Sequence, residues 1–385
     1  MQDFEFFNPT RIVFGKGRIQ ELDRLVPAHA RVLVLYGGGS VIANGILKEV
    51  HTALGQREVR EFGGIEPNPT YENLMNAVAM ARQEKVDFLL AVGGGSVIDG
   101  TKFVAAAVPF PGDPWEILLQ HGRNVASALP FGTVLTLPAT GSEMNSGSVI
   151  MRREIKAKLA FGSPKVFPVF SVLDPTKTFT LPPQQIANGV VDAFVHVMEQ
   201  YLTFPAGAQV QDRFAEGLLM TLMELGPKAL AAPQDYDVRA GLMWAATLAL
   251  NGLIGAGVPQ DWATHMIGHE LTALFGIDHA RTLAVVLPSL LWERREAKHA
   301  KLLQYGARVL GITAGSEAER IQATIDATRA FFERMGIATR LPAYGVGPEN
   351  LDTLVAQLKN HGMTALGERR DLTLEDSRRV LAGCF

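Results

Sequence analysis

The chain has 385 residues, 47% hydrophobic and 19% charged, with 36 Lys and Arg against 39 Asp and Glu. Length and composition predict a well-packed soluble protein of two domains and exclude a disordered chain. A formal net charge of −3, with its cations scattered among acids, predicts no nucleic-acid binding and no pull toward anionic lipid.

The opening stretch, MQDFEFFNPTRIVFGKG, has no basic segment followed by an apolar one, and no apolar run approaches the roughly 20 residues of a membrane span. A cytoplasmic protein without a membrane partner is therefore expected. The sole cysteine, Cys384, excludes an internal disulfide and every thiolate zinc site. Any metal must be held by nitrogen and oxygen.

In chain order, short apolar runs at 31–36 (RVLVLY), 87–92 (DFLLAV), 133–138 (TVLTLP) and 168–174 (PVFSVLD) read as buried strands. Between the first of them, 41–55 and 71–85 have apolar residues recurring at three and four, the helical period. This alternation predicts a parallel sheet with helices on its faces. After residue 180 the strand runs stop, and helices are predicted over 184–203, 209–229, 235–255, 262–275, 297–311 and 315–336. Pro182 and Pro183 suit the start of the first of these helices. The expected organisation is an α/β domain over 1–182 and an all-helical domain over 183–385, with a ligand in the cleft where they join.

The hexapeptide GGGSVI occurs twice, at Gly37, Gly38, Gly39, Ser40 and at Gly93, Gly94, Gly95, Ser96, each time between a strand and a helix. A strand-to-helix turn without side chains lets backbone N–H groups close on a phosphate, and the helix N-terminus adds positive partial charge. The spacing is not GxGxxG, so a tight turn needed only for packing is the competing reading. No acid follows the strand at 31–36 where a ribose 2′-hydroxyl would be read, which predicts NADP(H) over NAD(H). A third polar loop, TLPATGSEMNSG (136–147), offers Thr136, Thr140 and Ser142 as cofactor contacts, or is an ordinary loop.

Farther on, Asp192 and His196 lie four apart in an apolar helical stretch, and so on one helix face. An Asp–His ion pair or a solvent-facing pair is the alternative to metal ligation. His265 and His269 repeat that spacing, and a turn at FGID leads to His279. One Asp and several histidines are available for a four-coordinate nitrogen–oxygen site. The HExxH pattern of metalloproteases is absent, because position 273 is Ala and 274 is Leu. One carboxylate and neutral imidazoles leave a divalent ion with a net charge of about +1, suited to polarising a carbonyl. With dinucleotide loops, hydride transfer is the chemistry expected.

The segments AVGGGSVIDGTK (91–102), LPATGSE (137–143), NGVVDAFVHVMEQY (188–201) and HMIGHELTALFGIDHA (265–280) together resemble the iron-containing alcohol dehydrogenases. The likeness is closest to their NADPH-dependent aldehyde reductase and butanol dehydrogenase branch, and runs from residue 10 to past 290. It implies a Rossmann-like α/β domain and a helical metal-binding domain of the dehydroquinate synthase-like fold. It implies Asp192, His196, His265 and His279 as ligands of Fe²⁺ or Zn²⁺, with Gly93 to Ser96 on the pyrophosphate. It further implies Asp99 as the residue fixing that loop, Thr136 and Thr140 as cofactor contacts, and Lys158 on the nicotinamide ribose side. His269 is then the histidine that helps move the proton. A small aliphatic aldehyde or alcohol is the implied substrate, suiting apolar Trp262, Met266, Ile267 and Phe275, and a homodimer is the default assembly. The chain departs from many members in having Asp278–His279–Ala280 where they have Pro–His–Gly. A related NAD- and metal-dependent lyase and a metal-dependent hydrolase are the rival readings.

Overall fold

In the computed structural model, which describes residues 1–385, the chain forms two compact units. One holds residues 7–181 and 234–247; the other holds 1–6, 182–233 and 248–385.

The first unit contains strands β1 (Arg11–Phe14), β2 (Arg31–Tyr36), β3 (Glu58–Phe62), β4 (Phe88–Gly94), β5 (Phe131–Leu137), β6 (Gly147–Arg152), β7 (Ala157–Gly162) and β8 (Phe170–Leu173). Its helices are α1 (Leu22–Leu25), α2 (Ser40–Ala43), α3 (Ile46–Leu54), α4 (Tyr71–Gln83), α5 (Gly95–Ala107) and α6 (Trp115–Leu119). Six strands make one parallel sheet in the order β1-β8-β5-β4-β2-β3, and β6 and β7 form a separate antiparallel hairpin. Because side chains alternate along a strand, β2 and β4 supply two cores. Val32, Val34, Phe88, Leu90 and Val92 join Ile46, Val50 and Leu54 of α3 on one face. Leu33, Leu35, Leu89 and Ala91 join Leu74 and Val78 of α4 and Phe103 of α5 on the other. A strand buried on both faces needs the unbroken apolar run that made it legible.

Strands without such a run were not anticipated. β3 is an edge strand, EVREF, with no fully buried residue, and β1 is a four-residue edge with one. The helix expected over 41–55 is two pieces, because the backbone breaks at Asn44 and Gly45 takes the left-handed φ of 80° that glycine tolerates.

The sheet has a topological switch. The chain leaves β2, forms β3 on one side of it, then returns to lay β4 on the other side. Ligands of such sheets sit outside the carboxyl ends of the strands at that reversal. Both GGGSVI copies fall there: the first follows β2, and the second closes β4 and opens α5.

The second unit is built from α7 (Pro183–Tyr201), α8 (Gln209–Ala231), α10 (Ala263–Phe275), α11 (His279–Glu293), α12 (His299–Arg308), α13 (Glu317–Arg334), α14 (Leu351–Asn360) and α15 (Leu374–Ala382), and α9 (Tyr236–Ala249) follows α8 in the chain. Residues 236–247 of α9 pack with the first unit. The helix expected to run to 255 stops at Ala249, ahead of turns in which Gly252 and Gly257 have φ of 92° and 67°. The unit is largely rather than wholly helical, since β9 (Ala365–Leu366) and β10 (Leu372–Thr373) pair antiparallel. No helix is long and apolar enough to cross a membrane.

Every residue of α7 from Ile186 to Tyr201 is buried, so its polar side chains must find partners inside the protein. Next to it, α11 begins at His279 and packs on α10 across Gly268, where a side chain would meet Thr282 and Leu283.

Candidate metal centre and dinucleotide loops

Asp192 and His196 come from one face of α7, His265 from the first turn of α10, and His279 from the first residue of α11. They converge on one carboxylate oxygen. Asp192 Oδ1 stands 3.7 Å from His196 Nε2, 4.0 Å from His265 Nε2 and 3.8 Å from His279 Nε2. Asp192, His265 and His279 offer ligand atoms all within 4.8 Å of one another, and His196 joins them through its approach to Asp192.

These separations test the site for a metal. Hydrogen-bonded pairs would stand near 2.9 Å, and buried Asp192 Oδ1 accepts no hydrogen bond. Four ligands at about 2.0–2.1 Å from a tetrahedral ion stand roughly 3.3–3.5 Å apart, a little closer than observed. Three imidazole nitrogens around one carboxylate oxygen therefore fit a divalent cation, and the solvent-facing alternative does not describe Asp192 and His196. Both are buried, with side chains 5% and 6% exposed.

The other ring nitrogen of His265 is also engaged, its Nδ1 bonding Glu199 Oε2. Glu199 lies on α7 three residues beyond His196 and is buried. Burial, and after it the Asp261 carboxylate, push the Glu199 carboxyl well above its usual range; a divalent cation beside His265 acts in the opposite direction.

His269 is buried next to this group, its ring centroid 5.3 Å from that of His279 and 6.3 Å from that of His265. Trp262 is at the site as well, 5.3 Å from the His265 ring and 6.1 Å from His196. Of the apolar residues expected around it, Ile267 is buried in the core formed by α10, α11, α14 and α15, and half-buried Phe275 packs against that core. Asp278, where the family motif departs, stands immediately before α11, with its side chain turned to α7 rather than capping α11. Its Oδ2 accepts Gln184 Nε2 at 2.9 Å and Asn188 Nδ2 at 3.2 Å, both from α7.

The two glycine loops differ. At the second, a Cβ would crowd its neighbours at every glycine, lying 2.5 Å from Val97 at Gly93, 3.0 Å from Leu137 at Gly94 and 2.4 Å from Thr140 at Gly95. Gly95 starts a 13-residue helix, α5, whose first N–H groups point into the turn. At the first, Gly38 and Gly39 face open space and Ser40 starts a helix of four residues only. The second copy is thus a tightly packed turn, as the competing packing reading also expects, at the N-terminus of a long helix, and the first is an open turn at the end of β2.

Asp99 and Lys102 project from α5 and hold the third loop. Asp99 accepts the Ser142 hydroxyl at 2.5 Å and the Val149 N–H at 2.9 Å. Lys102, fully buried, donates to Ser142 Oγ at 2.7 Å, Asn145 Oδ1 at 2.8 Å and the Gly147 carbonyl at 2.7 Å. Burial pushes Asp99 up and Lys102 down to about 8. The Ser142 hydroxyl is thereby engaged within the protein at both its lone pair and its proton. Thr140 packs against Gly95, and Thr136 lies at a bulge, skipped in the register between Gly93↔Leu135 and Gly94↔Leu137. Lys158, on β7, donates to Asn68 Oδ1 at 2.8 Å, and the Asn68 N–H reaches Ser96 Oγ at 3.4 Å.

Glu199, Asn68 and Lys102 were missed in the sequence. Glu199 continues the Asp192–His196 face at the next turn, Asn68 lies between two prolines in EPNPT, and Lys102 follows Asp99 by three.

Glycine turns at a switch point and an Asp–His cluster in a helical unit together define a protein of the dinucleotide- and metal-binding kind. The family described as iron-containing alcohol dehydrogenase matches residues 9–175, and the Fe-containing alcohol dehydrogenase family C-terminal domain matches 186–381. The chain is 61% identical over 382 residues to the NADPH-dependent aldehyde reductase YqhD of Escherichia coli (strain K12), covering 99% of both chains. It is 41% identical over 386 residues to the probable NADH-dependent butanol dehydrogenase 1 of Bacillus subtilis (strain 168), again covering 99% of each. A crystal structure of the Escherichia coli K-12 protein superposes with a TM-score of 0.99 at 60% identity, over 100% of this chain and 99% of the other. The chain belongs to the iron-containing alcohol dehydrogenase family.

Proposed function

We propose that this protein is an NADP(H)-dependent alcohol dehydrogenase acting as a reductase of small aliphatic aldehydes. The observation that carries the reading is Asp192 Oδ1 facing three imidazole Nε2 atoms at 3.7–4.0 Å in a buried setting. The name of the Escherichia coli relative supports the NADPH and aldehyde assignments. When bound, a divalent ion supplies Lewis acidity for a carbonyl oxygen and NADPH supplies the hydride.

Asp192, His196, His265 and His279 hold the ion, and their three nitrogens and one oxygen suit Zn²⁺ as well as Fe²⁺. Gly93, Gly94, Gly95 and Ser96 bind the pyrophosphate at the start of α5. Gly37, Gly38, Gly39 and Ser40 receive the adenosine ribose, in a turn that itself carries no acid to repel a 2′-phosphate. Thr136, Thr140 and Ser142 border the cofactor, Ser142 chiefly by fixing the loop through Asp99. Lys158, oriented by Asn68, orients the nicotinamide ribose. His269 passes a proton from an imidazole nitrogen to the substrate oxygen.

Neither the lyase nor the hydrolase alternative has comparable support from the family or the site. A cytoplasmic homodimer is the setting proposed; the lone, buried thiol of Cys384 suits a reducing compartment. Mixing the protein with NADPH, butanal and Zn²⁺ or Fe²⁺ tests the function. NADPH absorbance should fall only with aldehyde and metal both present, and an unchanged absorbance across short-chain aldehydes overturns the reading.

A further inference from the structure

Two carboxylates of α7 bracket the ring of His265. Asp192 Oδ1 lies 4.0 Å from its Nε2, and Glu199 Oε2 bonds its Nδ1. An imidazole has two nitrogens of similar basicity, and which one is left with a lone pair for a metal depends on what holds the other.

We propose that Glu199 is a positioning residue of the metal centre: it keeps the proton of His265 on Nδ1 and so commits Nε2 to the ion shared with Asp192. This rests on the metal reading above.

The geometry gives each Glu199 oxygen a separate task. Oε1 accepts the backbone N–H of Thr264 at 2.6 Å, and Oε2 takes the ring of the next residue. The carboxylate is thus pinned to the chain immediately before the ligand. Capping α10 does not by itself account for this arrangement. Asp261 Oδ1 already accepts the Ala263 N–H at 3.0 Å, and nothing in a cap requires contact with an imidazole.

Charge points the same way. Asp192, Glu199, Asp261 and Glu368 form a buried acidic group around this end of α10, and Lys298 is the cation among them. Lys298, 1% exposed, is engaged by Asp261 Oδ2 at 2.8 Å, Glu368 Oε2 at 3.0 Å and the Leu202 carbonyl at 2.6 Å. Glu199 is outside that set of contacts, and its two oxygens go to the Thr264 N–H and the His265 ring. A carboxylate behind a ligating imidazole raises the basicity of that ligand as well as fixing its orientation.

The test is Glu199→Gln, which keeps the side-chain volume and one acceptor but removes the charge. Zn²⁺ affinity is measured by competition with a chromogenic chelator, and thermal unfolding is followed on the metal-free protein. The expected result is affinity about 10- to 100-fold weaker with a metal-free Tm close to that of the parent. Affinity within twofold of the parent overturns the proposal. A second measurement needs no variant: ¹⁵N-histidine NMR of the Zn²⁺-loaded parent should give His265 a proton on Nδ1 and a metal-shifted Nε2. Ligation through Nδ1 overturns the proposal even if Glu199→Gln fails to fold. Failure of the parent itself to bind Zn²⁺ or Fe²⁺ overturns the metal reading, an outcome distinct from unchanged affinity in the variant.

Discussion

Gly268 on α10 faces Thr282 on α11 so closely that a Cβ on the glycine would lie 2.8 Å from Thr282 Oγ1 and 3.3 Å from Leu283 Cδ2. Thr282 is stiff at χ1 and already bonds the His279 carbonyl at 2.7 Å, so it cannot readily turn away. This approach sets how near the first turn of α11 comes to His265. Gly268→Val should destabilise the protein by about 1–3 kcal/mol through overpacking and weaken metal binding together with it. Urea midpoints and bound metal per chain measure the two effects; a variant as stable as the parent with full metal would mean that the crossing has slack.

The two histidines four apart on α10 should separate on mutation. His265→Ala should empty the metal site and abolish aldehyde reduction. His269→Ala should keep about one metal per chain while turnover falls by roughly 10²-fold or more, the scale of a lost general acid. Elemental analysis beside kcat decides the matter: metal lost from the His269 variant would make that residue a ligand.

Gly38 faces open space at the end of β2, so a side chain can be added there without a clash. Gly38→Asp supplies a charge that repels a 2′-phosphate and can accept a ribose hydroxyl. The ratio of kcat/KM for NADPH to that for NADH should drop at least about tenfold. An unchanged ratio would remove the first glycine turn from the ribose site.

Lys102 ties α5 to Ser142, Asn145 and Gly147 and offsets the charge of buried Asp99. Lys102→Met should cost about 3–5 kcal/mol at neutral pH, since Asp99 is left buried without its cation. The pH dependence has a definite sign. The folded pKa of Lys102 is pushed by burial to about 8, below the 10.5 of an exposed lysine, so between those values the unfolded chain binds more protons. The Lys102 contribution therefore makes the parent more stable as pH rises from 8 to 10.5, relative to Lys102→Met. Denaturation free energies of both proteins across that window check it, and a constant difference would contradict it.

Much of the fold was legible because its signals are local. β2 and β4 are buried on both faces and carry unbroken apolar runs, whereas the edge strand β3 carries Glu58, Arg60 and Glu61 and has no such run. Helix α11 was missed although it bears His279: its start lies in a polar turn without a side-chain cap, and Asp278 before it is held by Gln184 and Asn188, about ninety residues earlier.

By itself the sequence determined which side chains share a helix face, because a spacing of four fixes that within one turn. Asp192 with His196, and His265 with His269, follow from this alone, as does the placing of glycine turns after buried strands. It did not determine which histidines meet. That depended on α7, α10 and α11 packing so that Nε2 atoms from three helices surround Asp192 Oδ1, while His269 stands beside them. Nor did it reveal that the two GGGSVI copies differ, since only packing against Val97, Leu137 and Thr140 makes the second a closed turn. Glu199 waited on the tertiary structure for the same reason: its contact with His265 spans 66 residues, and no local rule of spacing or propensity reaches so far.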